Sequence, residues 1–484
     1  MKNDLAKPMV RADLLAKLET EQTWDVIVIG GGATGLGIAV DAASRGLSTV
    51  LLDAQDFSAG TSSRSTKLIH GGVRYLAQGN VSLVREALKE RRILIENAPK
   101  LVSAKPFIVP CYGLVEREYM RIGLGMYDGL AGQYGIGRTE WLSKAETLKR
   151  LPGVKAEGLR GGVQFWDGQF DDARLVIALM RTAYEHGAVP LNYMRASGMT
   201  RGNDGITAVT ATDVETGREY TLKGKAIFNA CGVWVDEIRR LVDPSASRLV
   251  RTSRGSHILV DLSFMPANAG MLIAKTRDGR VLFAIPWHGQ LLIGTTDVEQ
   301  KDPSFNPEAT EDEIDFMIET AAGYLAKPIQ RSDVKATFSG LRPLFNPAAT
   351  GTAGSTAKVS REHAVIPEFG NLITVTGGKW TTYRKMALDA INTAVGLGLL
   401  PQRECVTENL RLADDPTVDA AQVEAAALKN PATADIESFT RYARDFEGAR
   451  TVEDVLHRRV RLGQLDAAVT AALTDRVKAA FANG

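Results

Sequence analysis

The chain has 484 residues, of which 44% are hydrophobic and 24% charged, with a formal net charge of +1. That length holds two or three domains with large buried cores, and the near-neutral balance leaves no global footprint for nucleic acid, so anion specificity must come from local clusters. The three cysteines, Cys111, Cys231 and Cys405, stand far apart in no zinc or Cys-x-x-Cys spacing, which argues against a disulfide framework and for a reducing compartment.

The N-terminal stretch lacks the apolar core of a signal peptide, and no later run is long and apolar enough to span a bilayer. A cytoplasmic location is expected, with any membrane attachment peripheral, on the cytoplasmic face. Residues 24–53 read as strand, glycine turn, helix and strand. Gly30, Gly32 and Gly35 stand in the spacing G-x-G-x-x-G between a β-branched run and a helical pattern, and the second strand ends in Asp53. Gly30 makes the turn, Gly32 admits a pyrophosphate close to the backbone, and Gly35 lets the helix lie on the sheet. The helix N-terminus favours the phosphates. Asp53 accepts from ribose hydroxyls and repels a 2′-phosphate.

Residues 54–80 form a loop rich in hydroxyls, Thr61, Ser62, Ser63, Ser65 and Thr66, that ends in Gly71-Gly72. Such a loop can donate to phosphates, and the glycine pair permits close approach of something flat or bulky. A structural amphipathic helix is expected at 81–98. The glycine- and aromatic-rich stretch 119–137 reads as a helix over a pocket or as a patch meeting lipid, the packing reading being safer. A strand at 161–170 and a helix at 171–186 capped by Asp171 and Asp172 follow. Residues 207–213 and 219–222 suggest a hairpin, and 226–230 a separate buried strand entering Cys231-Gly232, where a chain returning to the nucleotide sheet needs a small residue.

From residue 253 the texture turns to β-rich pieces at 256–260, 281–286 and 291–297, a second domain whose antiparallel sheet walls a substrate pocket. At 372–395 a second strand-glycine-helix unit appears, with Gly377, Gly378 and Lys379 in its turn. A second unit so far downstream is hard to explain with NAD. FAD is longer: its adenosine and pyrophosphate use the first turn, and the late helix meets the ribityl and flavin end. Beyond residue 401 the chain is helical, with a capping box at 451–454. The cluster His457, Arg458, Arg459 and Arg461 reads as a solvated face, contact with acidic lipid or a partner being the lesser alternative. The six histidines include no pair at metal-ligand spacing, so no metal is expected.

The expected class is α/β (α+β). It comprises a discontinuous FAD-binding Rossmann-like domain at 20–110, 165–250 and 366–400, an antiparallel-sheet substrate or cap domain at 111–164 and 251–365, and a small C-terminal helical domain at 401–484.

The stretches TSSRSTKLIHGGVRYL, GSHILV, IPWHGQLLIGTTDVE, SGLRPL, VSREH and TGGKWTTYRK occur in order between residues 25 and 385. They resemble the FAD-dependent glycerol-3-phosphate dehydrogenases of the respiratory type. The C-terminal region resembles the family's helical cap loosely: it looks shorter and has His457 before the arginine pair where the family tends to have an aromatic. The resemblance implies oxidation of sn-glycerol 3-phosphate to dihydroxyacetone phosphate through FAD, with a membrane quinone, or oxygen in oxidase relatives, as acceptor. It carries substrate roles to Arg74 and Tyr75, His257, Arg342, Arg361 and Lys379. Expected partners are therefore a phosphorylated polyol, a quinone-type acceptor, a peripheral membrane contact and a second copy of the chain.

A phosphate monoester suits arginine forks, which bind it bidentately. Arg342 and Arg361 are assigned to the phosphate, with Arg74 and Tyr75 in support. His257 is the chosen base for the C2 hydroxyl, because an unperturbed imidazole titrates near working pH. Lys379 either stabilises negative charge on the reduced ring or binds substrate. The rivals are a dehydrogenase of a longer polyol phosphate, an amine or 2-hydroxy-acid oxidase of the same architecture, and a non-catalytic flavin-binding module.

Overall fold

A computed structural model describes residues 7–20, 22–72, 79–274, 276–277, 279–346, 363–413 and 419–482, the side chains of 114–117 excepted. Arg74, Tyr75 and Arg361 lie outside the described residues.

Strand β1 (Thr23–Ile29), helix α1 (Ala33–Ser44) and strand β2 (Thr49–Leu52) form the glycine-turn unit. The chain crosses to a second sheet through the short β3 (Leu68–Ile69) and, after α2 (Val81–Asn97), adds β4 (Val102–Cys111) to it. Helix α3 (Leu114–Ala131) follows, and β5 (Gly161–Phe170) pairs antiparallel with β4. Helix α4 (Asp172–Glu185) and β6 (Val189–Leu191) return to the first sheet, and β7 (Ile206–Asp213) and β8 (Glu219–Asn229) make the hairpin. The second sheet resumes with β9 (Val250–Asp261), β10 (Leu282–Trp287) and β11 (Gln290–Gly294), then α5 (Glu311–Ala322) and β12 (Ala336–Phe345). The first sheet is completed by β13 (His363–Glu368), β14 (Leu372–Gly377) and α6 (Tyr383–Gly396). The C-terminal region holds α7 (Ala420–Lys429), α8 (Ile436–Glu447) and α9 (Ala467–Ala482).

In the first sheet the order is β13-β14-β8-β1-β2-β6, parallel except for β13. The chain leaves β1 for β2 on one side and returns on the other through β8. The carboxyl end of β1 is therefore a switch point, where open α/β sheets bind ligands. Helix α1 packs between α6 and α4 and buries most of its length, which its small residues allow. The second sheet has ten strands among the described residues and is antiparallel apart from the contact of β4 with the strand Gly270–Ile273.

Three expectations change. The hairpin strand and the buried strand at 226–230 are one element, β8, whose first half pairs antiparallel with β7 and whose second half runs parallel between β1 and β14. The boundaries at 110 and 165 do not follow the sheets: β3, β4 and all of β5 belong to the second, because β4 and β5 pair along their whole length.

The third correction concerns the C-terminal basic cluster. Arg458, Arg459 and Arg461 are buried, not solvated, each against a buried carboxylate. The Thr451–Asp454 capping box is present, with Thr451 N–H donating to Asp454 Oδ2 at 3.0 Å and Asp454 N–H to Thr451 Oγ1 at 3.2 Å. It opens a π-helical turn, Asp454–Arg459, that turns the arginines inward.

Candidate functional site

A groove of about 530 Å³ opens at the carboxyl ends of β1, β8 and β14, within the roughly 300–1,000 Å³ usual for ligand sites. Both glycine turns line it. Gly30, Gly32 and Asp53 stand at one end, Gly377, Gly378 and Lys379 at the other, with Gly232, Thr61 and Ser62 between the elements.

The glycines have separable reasons. Gly30 has φ +112°, and a Cβ there would lie 2.5 Å from the Ala230 carbonyl oxygen at the end of the neighbouring strand β8. At Gly35 a Cβ would fall 1.8 Å from the Gly30 carbonyl oxygen, so the helix could not sit on its strand. Gly32 opens α1, and the next amide, Ala33 N–H, donates to Ser62 Oγ at 3.0 Å. Gly377 and Gly378 both take positive φ and lead into the turn Trp380–Thr382 before α6. The Trp380 indole N–H donates 2.9 Å to the Ser62 carbonyl and ties the two ends together. An extended dinucleotide fits this floor: bare backbone under its length, a helix N-terminus at the first turn, and an acid where a ribose would lie.

Asp53 accepts from Gly31 N–H at 2.5 Å and Gln55 N–H at 2.8 Å. Burial outweighs these donors and pushes its carboxyl up to about 7. Ribose hydroxyls donate best to the ionised form. FAD binding should therefore be insensitive to pH above about 7 and weaken by up to roughly tenfold per unit below it, with Asp53→Asn removing the dependence. Titrating the flavin-free protein with FAD at several pH values checks this. A wild-type dissociation constant flat down to pH ~5 would contradict it.

The other side of the site lies on the second sheet. His257 on β9 and Arg342 on β12 occupy adjacent strands. Gly255 makes room for the arginine, since a Cβ there would meet Arg342 Nη2 at 2.2 Å. Arg342 donates to Thr295 Oγ1 at 3.0 Å and to the Thr296 carbonyl at 3.1 Å. His257 is 2% exposed, stacks on Phe338 at 4.7 Å, and its Nε2 lies 3.0 Å from Thr66 Oγ1. Burial, then the Lys67 and Arg342 cations, holds its imidazole well below the usual range. The hydroxyl-rich loop joins the two halves: Thr61 Oγ1 donates to the Leu341 carbonyl at 2.5 Å, beside Arg342, and Thr66 reaches His257.

Four of the expected cofactor residues do other work. Ser65 donates through N–H and Oγ to Asp172, at 3.0 and 2.7 Å. Ser63 is buried, and its carbonyl faces the C-terminal region. Gly71 packs under Tyr127, whose hydroxyl accepts its N–H at 2.8 Å, and the buried Gly72 supplies a positive φ. None of these four lines the groove. Two groups were not singled out from sequence. Trp234 and Phe305 stack at 4.3 Å as a wall of the groove, Phe305 arriving from the second domain, and only the proximity of Trp234 to Gly232 hinted at either. His70, whose backbone N–H and carbonyl both bond Thr381 Oγ1, sits beside the second glycine turn, and its place in the IHGG stretch was the available signal. Among the described residues no His, Cys, Asp and Glu group is arranged to hold a metal.

Residues 25–383 match the family of FAD-dependent oxidoreductases. The chain is 42% identical over 403 residues to a mitochondrial glycerol-3-phosphate dehydrogenase of Arabidopsis thaliana, covering 80% of this chain and 63% of that protein. It is 36% identical over 416 residues to a probable glycerol-3-phosphate dehydrogenase of Encephalitozoon cuniculi, covering 84% and 67%. The chain spans between 55% and 67% of the length of the curated relatives it matches. The crystal structure of a Bacillus halodurans glycerol-3-phosphate dehydrogenase complexed with FAD superposes with a TM-score of 0.76 at 26% identity, covering 98% of this chain and 93% of that one. The groove is an FAD site, and the chain belongs to the FAD-dependent oxidoreductase family, in the group of the glycerol-3-phosphate dehydrogenases.

Proposed function

We propose that the protein oxidises sn-glycerol 3-phosphate to dihydroxyacetone phosphate. The observation that carries this reading is the placement of a buried imidazole, His257, and the Arg342 guanidinium on adjacent strands, with the loop that lines the FAD groove bonding His257 through Thr66 and the Leu341 carbonyl, next to Arg342, through Thr61. When bound in the groove between the two glycine turns, FAD would supply the two-electron acceptor for the hydride leaving C2. His257 takes the C2 hydroxyl proton; burial, with the Lys67 and Arg342 cations adding to it, keeps it neutral at working pH. Arg342 binds phosphate through a planar fork, with Arg361, Arg74 and Tyr75 in the same role by resemblance. Lys379 brings a cation to the second glycine turn, where it favours negative charge on the reduced ring or on the substrate.

Electrons then pass to a membrane quinone, with the protein attached peripherally on the cytoplasmic face. Helix α3 supports attachment by exposing Tyr119, Ile122 and Met126 along one side. No helix among the described residues is long and apolar enough to cross a membrane.

One anaerobic experiment tests the scheme. Adding sn-glycerol 3-phosphate should bleach the flavin absorbance, and subsequent quinone-loaded anionic liposomes should co-sediment the protein and restore it. A flavin that ignores this substrate but bleaches with a longer polyol phosphate or an amino acid overturns the substrate. A flavin that the liposomes leave reduced, in protein left in the supernatant, and that only air admitted afterwards restores overturns acceptor and attachment.

A further inference from the structure

The loop 54–63 supplies one side of the FAD groove, yet Asp56 and Ser63 in it do not line the groove. Asp56 and Ser63 are buried against the C-terminal region. The Asp56 carboxylate accepts from Arg459 Nη1 at 2.6 Å, Arg459 Nη2 at 2.9 Å and Arg458 Nε at 2.6 Å. The Ser63 carbonyl accepts from Arg461 Nη2 and from Gln464 Nε2, each at 3.0 Å. The anchors hold the loop at two points, one near Asp53 and one in the turn that carries Thr61 and Ser62.

The donors are themselves fixed. Arg458 Nη2 lies 2.6 Å from Asp454 Oδ1, which also accepts from the Tyr193 hydroxyl at 2.7 Å. Arg459 Nη2 donates to the Glu447 carbonyl at 2.8 Å, and the Glu447 side chain pairs with Arg174 on α4 at 2.7 Å. A buried ion pair is poor value as stability alone, because desolvation consumes most of the attraction. What a buried arginine fork supplies is geometry. Here the forks converge on the pocket loop, from a segment some four hundred positions away, on groups that do not line the groove.

We propose that the segment 454–465 is a cofactor clamp. Arg458, Arg459 and Arg461 are positioning residues that hold the loop 54–63 in its FAD-binding shape, so retention of FAD depends on docking of the C-terminal region. The inference rests on the FAD site and not on the identity of the substrate. By reciprocity, bound FAD must strengthen that docking.

The test compares FAD dissociation constants of flavin-free preparations, read by quenching of flavin fluorescence. Arg459→Met should weaken binding by about tenfold or more, the worth of one charge-assisted bond. The control is Arg476→Met, which breaks the Arg476–Glu437 pair inside the C-terminal region, 2.6 Å, without touching the loop; it should stay within about twofold. FAD affinity unchanged in Arg459→Met, or weakened equally in the control, overturns the proposal. Should Arg459→Met fail to fold, the unmodified protein decides. Removing FAD should raise amide hydrogen exchange across 454–465 more than across α9, and no rise, or a rise equal in both, overturns it.

Discussion

Asp172→Ala should melt far below wild type at neutral pH. Asp172 is fully buried, and its carboxylate accepts from Lys67 Nζ at 2.8 Å, Arg461 Nη2 at 3.0 Å and the Ser65 hydroxyl at 2.7 Å. Removing it strands two buried cations, a loss of about 3–5 kcal/mol, against a total stability of only about 5–15 kcal/mol. Burial, with Arg461 adding to it and Asp172 opposing, already pushes the Lys67 ammonium down to about 7. Without Asp172 the opposing attraction is gone, so Lys67 must shed its proton for the chain to fold. A lysine whose folded value is lowered binds fewer protons folded than unfolded, so stability rises with pH up to the unfolded value of about 10.4. The variant should therefore recover in part between about pH 7 and pH 9. Thermal melts of wild type, Asp172→Ala and Asp172→Asn at both pH values check this. An Asp172→Ala protein melting within a few degrees of wild type at pH 7 would mean that the cluster is solvated in solution.

The features legible in the sequence are those whose constraints are local. Gly30, Gly32, Gly35 and Asp53 fall within one strand-turn-helix-strand unit, so the geometry that demands them is written over a few turns of chain. Arg458, Arg459 and Arg461 show the opposite case. A buried arginine and a solvated one have the same hydropathy, and what decides between them, Asp56 and Asp172, lies in another domain. Strand β8 was cut in two because its pattern changes along its length. Its first half alternates, as an edge hairpin does, whereas its second half is buried on both faces between β1 and β14. The expected boundaries at 110 and 165 cut through β4 and β5 because an apolar run records burial without naming the neighbour. In the same way the GSH motif pointed to His257, but not to its depth or to the Thr66 hydroxyl beside it.

His257→Asn is expected to slow reduction of the bound flavin by sn-glycerol 3-phosphate by roughly 10²–10⁴-fold, the usual worth of a positioned general base. FAD should remain bound, because His257 does not line the groove. The pH dependence is the sharper test. The base works only when neutral, and burial with the Lys67 and Arg342 cations drives its value well below the ordinary imidazole range. Lowering the pH through neutrality should therefore leave the wild-type rate flat, with the acid limb well below about pH 6.5. Arg342→Gln removes one of those cations, so the limb should move upward while the substrate KM rises through loss of the phosphate fork. Stopped-flow reduction of the three proteins between about pH 5 and pH 9 measures both effects. A His257→Asn rate within about tenfold of wild type would place the proton acceptor elsewhere, and an acid limb unmoved in Arg342→Gln would show that the limb belongs to a group the guanidinium does not face.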